Sequence, residues 1–212
     1  MTRRHFVSLA AAVASTGAQT PVVVPVHRVM DSKAPSSAEN QQRFWWKIWP
    51  EAVRDFNRAG VQLQTTDAAG EIRHTAGGRP IFIGLERGAI NLVLTDHVPP
   101  LWDNAHALAG MSVLVGGYAV CLIALRFAHG HQIPFFSTNV CLHEMLHVIF
   151  QDIYIQKPKW YVEHDHELRN DSYATRLWLF HDGAAIHRAA QAFVERLRAG
   201  SVIGLNSFTK KT

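Results

Sequence analysis

The sequence predicts an α+β fold in which a mixed β-sheet packs on helices. Segments that are rich in valine, or that alternate between apolar and polar residues, indicate strands up to Leu125, and segments with helical apolar spacing lie between and after them. A chain of 212 residues, 48% of them hydrophobic, is long enough to bury one core and short for two. We therefore expect a single domain over residues 19–212.

The first half of the chain supplies most of the predicted strands. Residues 21–30 form a valine-rich strand, and the helical spacing of residues 38–59 predicts a helix that is kinked or restarts at Pro50. The next predicted elements are a strand over residues 61–66, a turn over 67–70, and strands over 80–85 and 89–98.

Residues 108–125 carry no charged side chain, and this allows two interpretations. Eighteen uncharged residues meet the minimum length of a transmembrane helix. However, Gly116-Gly117 lies between two segments of β character, which favours a tight hairpin of two strands and no stable membrane span. Beyond this region, helices are predicted to begin near Ser137 or Thr138 and to cover residues 163–180 and 184–199.

The N-terminus has the pattern of an export signal over residues 1–18. Arg3-Arg4 precede a short, alanine-rich apolar stretch that ends in small residues and is too short to span a bilayer. The paired arginines resemble a twin-arginine signal, which implies that the folded domain is exported to the periplasm or the exterior. The alternative is a basic terminus without a function.

Composition narrows the classes of function. The 21 basic and 17 acidic residues give a formal charge of +4, and without Arg3 and Arg4 the balance is 19 against 17, or +2. Such a balance argues against a nucleic-acid partner, whereas 13 histidines favour metal chemistry. Cys121 and Cys141 lie in apolar runs, so we expect buried thiols, with one disulfide as the alternative.

His143, Glu144 and His147 form an H-E-x-x-H pattern on the helix that begins near Ser137. Histidines four residues apart lie one above the other on a helix and can bind one metal ion, which we expect to be zinc. Glu144 borders the same face, which places a base beside a metal-bound water. The rest of the helix is apolar nearly all round and is therefore predicted to be buried. The alternative is a buried His–Glu pair bonded to backbone carbonyls.

This segment resembles the active-site helix of the zincin metallopeptidases. The metzincin branch is disfavoured because Phe150 and Ile153 stand where it has Gly and a third His. The gluzincin (thermolysin-like) branch takes a Glu from a second helix about twenty residues on, followed four later by an Asp; Glu167 and Asp171 match those positions. The resemblance implies a zincin-like fold with a second ligand-bearing helix, Glu167 as third zinc ligand, and Asp171 orienting His143.

Other residues near Glu167 could replace it as the third ligand, and the sequence leaves this choice open. The alternatives are His164, His166, Asp171 and Asp152. His166 also stands where thermolysin-like enzymes have Asn, so the resemblance supports the superfamily more firmly than any one family in it.

The resemblance implies a zinc metallopeptidase that hydrolyses peptide bonds of a peptide or protein substrate. Glu144 would be the general base on a zinc-bound water, and His181, with Tyr161 and Tyr173 as alternatives, would stabilise the oxyanion. The substrate would lie along an edge strand within residues 111–125. The competing hypotheses are a non-catalytic exported metal-binding protein and a zincin-fold pseudoenzyme that binds a partner. Neither of them needs a base at position 144.

Overall fold

The computed structural model of the chain describes residues 20–31, 38–77, 80–95, 110–115, 117–125, 137–151 and 182–201. In this part of the chain, six strands form one mixed sheet: β1 (Val22–Asp31), β2 (Val61–His74), β3 (Pro80–Ile83), β4 (Ile90–Thr95), β5 (Gly110–Val115) and β6 (Tyr118–Ala124). The helical segments are α1 (Ala38–Arg43), a π-helical turn (Phe44–Ile48), α2 (Trp49–Arg58), α3 (Ser137–Phe150) and α4 (Gly183–Arg198). The predicted α+β class is confirmed. The predicted export signal and the predicted helix over residues 163–180 lie outside the described residues.

The strand order is β3-β2-β1-β4-β6-β5, with parallel pairing in the middle of the sheet and antiparallel pairing at both edges. Parallel neighbours need a long crossover, and α1 and α2 supply the one between β1 and β2. β4 is buried along its whole length, as expected for a central parallel strand that is covered on both faces.

Strand β2 is longer than its sequence predicts, and the predicted turn over residues 67–70 is wrong. The register with β1 runs from Val26 opposite Thr65 to Arg28 opposite Ala69, so β2 contains extra residues in a bulge and then continues. The continuation is stabilised by two neighbours, because residues 69–72 of β2 pair with β1 and residues 71–74 pair with β3. Gly70 allows this approach, since a Cβ there would lie 3.0 Å from the carbonyl oxygen of Ile83.

The helix predicted over residues 38–59 changes its winding next to Pro50: a π-helical turn ends at Ile48 and α2 begins at Trp49. Pro50 lies in the first turn of α2, where its missing N–H removes no helical hydrogen bond. The π-helical turn precedes it, and the backbone N–H of Trp49 donates to the carbonyl oxygen of Phe44, five residues back. A proline ring cannot pack against the carbonyl of residue i−4 in a regular helix, and the wider turn accommodates it.

The helical segments pack on one face of the sheet. Buried residues from β1, β2, β4 and β6 on that face join residues of α2, α3 and α4 in the larger hydrophobic cluster. A smaller cluster on the opposite face includes Val93, Val120 and Leu122. The sheet therefore forms the layer against which α3 and its histidines are held.

Strands β5 and β6 form the hairpin that the sequence favours for residues 108–125. Gly117 has φ = +85°, a left-handed conformation that glycine adopts without a Cβ penalty. Among the described residues, the structure contains no helix long and apolar enough to cross a membrane.

Helix α4 closely follows its prediction. The side chain of Asp182 accepts a hydrogen bond from the backbone N–H of Ala185 and so caps the N-terminus. At the other end Gly200, with φ = +67°, donates to the carbonyl of Leu197, and Ser201 donates to that of Arg196.

Candidate metal centre

Helix α3 brings the side chains of His143 and His147 together. Their Nε2 atoms are 2.9 Å apart, the ring centroids are 4.4 Å apart, and the rings are perpendicular. This geometry follows from the helix itself, because residues four apart are separated by only about 40° around its axis. Without a metal, one Nε2 carries the proton that it donates to the other.

The two nitrogens fit the requirements of a shared metal ion. Two histidine ligands at 2.0–2.1 Å on a tetrahedral zinc lie about 3.3 Å apart, so an increase of a few tenths of an ångström would admit the ion. Small rotations of the two side chains can supply that change without moving the helix. The converging Nε2 pair is therefore a suitable half of a zinc site.

The surroundings of the histidines agree with the prediction of a buried helix. The apolar side chains of α3 that face the core are 0–5% exposed: Val140, Cys141, Leu142, Met145, Leu146, Val148 and Ile149. His143 and His147 are only partly buried. The imidazoles thus lie at the border of the core, where an ion can reach them while the helix stays fixed by packing.

Glu144 is 8% exposed and points toward strand β5. Its Oε2 lies 2.7 Å from the Ser112 hydroxyl oxygen, which is also 2.6 Å from the Glu144 backbone carbonyl oxygen. Burial raises the pKa of Glu144 to about 7, and the hydrogen bond from Ser112 partly opposes that rise. A carboxyl group with this pKa can accept and release a proton near neutral pH.

The Ser112 hydroxyl has one proton and two acceptors within reach. When the carboxyl of Glu144 is ionised, the hydroxyl donates to Oε2. When that carboxyl is protonated, its own O–H donates to Ser112 Oγ and the hydroxyl turns to the Glu144 carbonyl. Both protonation states are therefore hydrogen-bonded in the same geometry.

Glu144 is not hydrogen-bonded to either histidine in the described part of the chain. Around an ideal helix Glu144 is about 60° from His147 and about 100° from His143, so it flanks the pair without facing it.

The contact of Ser112 with Glu144 is not predicted from the sequence. A weak signal for it exists, because Ser112 is a polar residue on a strand that is otherwise apolar, and strand alternation puts it on one face with Gly110. Which face that is depends on the register with β6, where Ser112 is opposite Cys121. The sequence alone does not contain this register.

The cysteines are buried thiols, as expected. Cys121 and Cys141 are free, and both are fully buried on the face of the sheet that carries α3. Burial raises the pKa of Cys141 to about 12 and that of Cys121 well above its ordinary value, so both remain neutral thiols. Neutral thiols are poor zinc ligands.

The remaining predicted site residues lie outside the described residues. They are the proposed third ligand Glu167, its alternatives Asp152, His164, His166 and Asp171, and the oxyanion candidates Tyr161, Tyr173 and His181. Among the described residues, no group of three or more His, Cys, Asp or Glu side chains is arranged to hold a metal ion. The role of Glu167 therefore remains a prediction.

A second polar cluster, not predicted from the sequence, lies at the carboxyl ends of three strands. His74 Nε2 is 2.7 Å from Asp31 Oδ1, and the Thr95 hydroxyl donates to Asp31 Oδ2 at 2.8 Å. His74 ends β2, Asp31 ends β1 and Thr95 ends β4. β1 lies between the other two strands and pairs in parallel with both. We call Asp31, His74 and Thr95 the strand-end cluster.

Comparison with known proteins returned no match: no family model, no curated protein and no solved structure corresponds to this chain.

Proposed function

We propose that this protein is a zinc-dependent peptidase whose zinc is held in part by His143 and His147. The observation that carries the proposal is the convergence of the two Nε2 atoms, 2.9 Å apart, on a helix whose buried side chains are mostly apolar. A metal ion is the partner that two converging imidazole nitrogens fit.

Each residue would have a distinct role. His143 and His147 would hold the ion through Nε2, and Glu167 would complete the protein ligands. A bound zinc would supply Lewis acidity, lowering the pKa of a coordinated water to near 7 and polarising a carbonyl oxygen. Glu144 would accept a proton and return it to the leaving amine, a task that suits a carboxyl group with a pKa of about 7.

Strand β5 supports a peptide as the substrate. Among the residues that the structure describes, it is the last strand in the sheet order, and its Ser112 contacts the Glu144 side chain. The outer edge of such a strand can pair with an extended peptide through backbone hydrogen bonds. A peptide bound there would have its backbone close to the proposed base.

Metal content and peptide hydrolysis of the full-length chain test the proposal together. We expect about one zinc per chain by mass spectrometry, and cleavage of a mixed peptide library that stops when a chelator is added. Glu167→Ala should lose or greatly weaken zinc binding. Glu51→Gln is the matched control. Glu51 also contacts α3, because the Thr138 hydroxyl donates to its carboxylate, but Glu51 lies far from the histidines in the sequence.

The outcomes separate the competing hypotheses. Zinc with no peptide cleavage would favour a non-catalytic metal-binding protein or a pseudoenzyme. Zinc retained in Glu167→Ala would move the third ligand to His164, His166 or an aspartate. No zinc in the wild-type protein, after expression with zinc supplied, would overturn the proposal.

A further inference from the structure

The edge strand β5 contacts the side chain of Glu144 at two points. Gly110 leaves room for it: a Cβ at that position would lie 2.7 Å from Glu144 Cγ and 3.1 Å from Oε1. Ser112, two residues on and on the same face of the strand, lies 2.7 Å from Oε2. One strand thus borders both the stem and the carboxyl group of Glu144.

The register of the hairpin explains why these two residues face α3. Gly110 is opposite Ile123 and Ser112 is opposite Cys121, and both partners belong to the hydrophobic cluster on the helix side of the sheet. A shift of one residue would turn Met111 and Val113 toward the helix instead. The contact with Glu144 therefore depends on this pairing and is not a property of α3 alone.

The hydrogen bond with Ser112 restrains the carboxyl group. A glutamate side chain has three rotatable bonds and keeps much of its freedom unless a partner restrains it. Ser112 Oγ contacts both ends of this residue, the carboxyl oxygen and the backbone carbonyl oxygen, at 2.7 and 2.6 Å. The serine lies against both groups, and its hydrogen bond to the ionised carboxylate restrains that group relative to the helix that carries the histidines.

We infer that Ser112 is a positioning residue, which holds the carboxyl group of Glu144 in place for proton transfer and links it to the strand on which the substrate would lie. The inference rests on the proposed peptidase function. It assigns to Ser112 an effect on turnover rather than on zinc binding or on substrate affinity, because the serine contacts the base and is not a predicted ligand.

The experiment compares Ser112→Ala with Ser112→Thr, which keeps the hydroxyl group. We expect Ser112→Ala to lower kcat about tenfold, the loss that corresponds to one hydrogen bond to a charged group, with KM within about twofold and zinc at about one per chain. Ser112→Thr should recover most of kcat. Val120→Ala loosens the same hairpin from the face away from α3 and should leave kcat within about twofold.

A kcat that is unchanged in Ser112→Ala, or equally low in Ser112→Thr, would overturn the inference. A second measurement separates this failure from failure of the proposed function, because it needs neither zinc nor activity. The infrared carboxyl band of Glu144, assigned by its loss in Glu144→Gln, should shift between wild type and Ser112→Ala in the metal-free protein. An unshifted band would show that Ser112 does not hold the carboxyl group.

Discussion

Two regions of this protein combine histidine with a carboxylate, and their hydrogen bonds are arranged differently. In the strand-end cluster, Asp31 accepts from both His74 and Thr95. On α3 the carboxyl group of Glu144 bonds to Ser112, and the two imidazole nitrogens face each other.

From this difference we infer different roles for the strand-end cluster and for α3. A carboxylate that accepts from two neighbouring strands joins their ends, and its charge is compensated by the groups around it. On α3, two imidazole nitrogens 2.9 Å apart could share an ion after a small increase in their separation, and under our proposal the nearby carboxyl group would exchange protons. We therefore expect the strand-end cluster to contribute to stability, and we propose metal chemistry for α3.

Zinc content should distinguish the two regions most clearly. His143→Ala should reduce zinc from about one ion per chain to near zero, because a site that loses one of its few ligands cannot retain the metal. His74→Ala should leave zinc unchanged. Mass spectrometry of both purified variants measures this, and zinc loss in His74→Ala alone would reverse the assignment.

Catalysis should distinguish the base on α3 from the carboxylate at the strand ends. Glu144→Gln should lower kcat about 10²- to 10⁴-fold, the usual contribution of a general base, with zinc still bound. Asp31→Asn should change kcat little. Peptide hydrolysis under saturating substrate is the measurement, and a fully active Glu144→Gln would remove Glu144 from the mechanism.

Stability of the metal-free protein should depend on pH through Glu144. Burial raises the pKa of this group from its ordinary 4.5 to about 7. Below the lower value the group is protonated in both the folded and the unfolded chain. Between the two values only the unfolded chain ionises, so the free energy of unfolding falls by roughly 3 kcal/mol as pH rises, and above pH 7 the contribution is constant.

Glu144→Gln should remove this dependence. In urea titrations of chelator-treated protein between pH 4 and pH 8, the variant should gain stability relative to wild type as pH increases, and the gain should level off above pH 7. A difference between the two proteins that stays constant over this range would contradict the raised pKa.

The smallest expected effect is on the strand-end cluster itself. Asp31→Ala should lower the free energy of unfolding by about 1–3 kcal/mol, because it leaves the donors of His74 and Thr95 without their carboxylate. Urea unfolding at pH 7 measures the loss. Thr95→Val provides a milder comparison, since it removes one hydrogen bond and keeps the shape of the side chain.

Local sequence patterns predicted the elements that depend on neighbouring residues. The helix of the histidines, the β5–β6 hairpin with Gly117, and the extent of α4 all agree with the structure. In each of them the deciding interactions span only a few residues. The turn expected over residues 67–70 was wrong because β1 and β3 together stabilise a longer strand than the polar sequence favours alone.

The sequence by itself determined that His143 and His147 meet, because a helix puts residues four apart on one face wherever it packs. Only the tertiary structure decided the environment of Glu144. Its raised pKa comes from burial, and its partner Ser112 is 32 residues away, on a face chosen by the register of a hairpin. The strand-end cluster likewise joins residues up to 64 positions apart. Such contacts depend on how strands pair and layers pack, and no local period of the sequence contains that information.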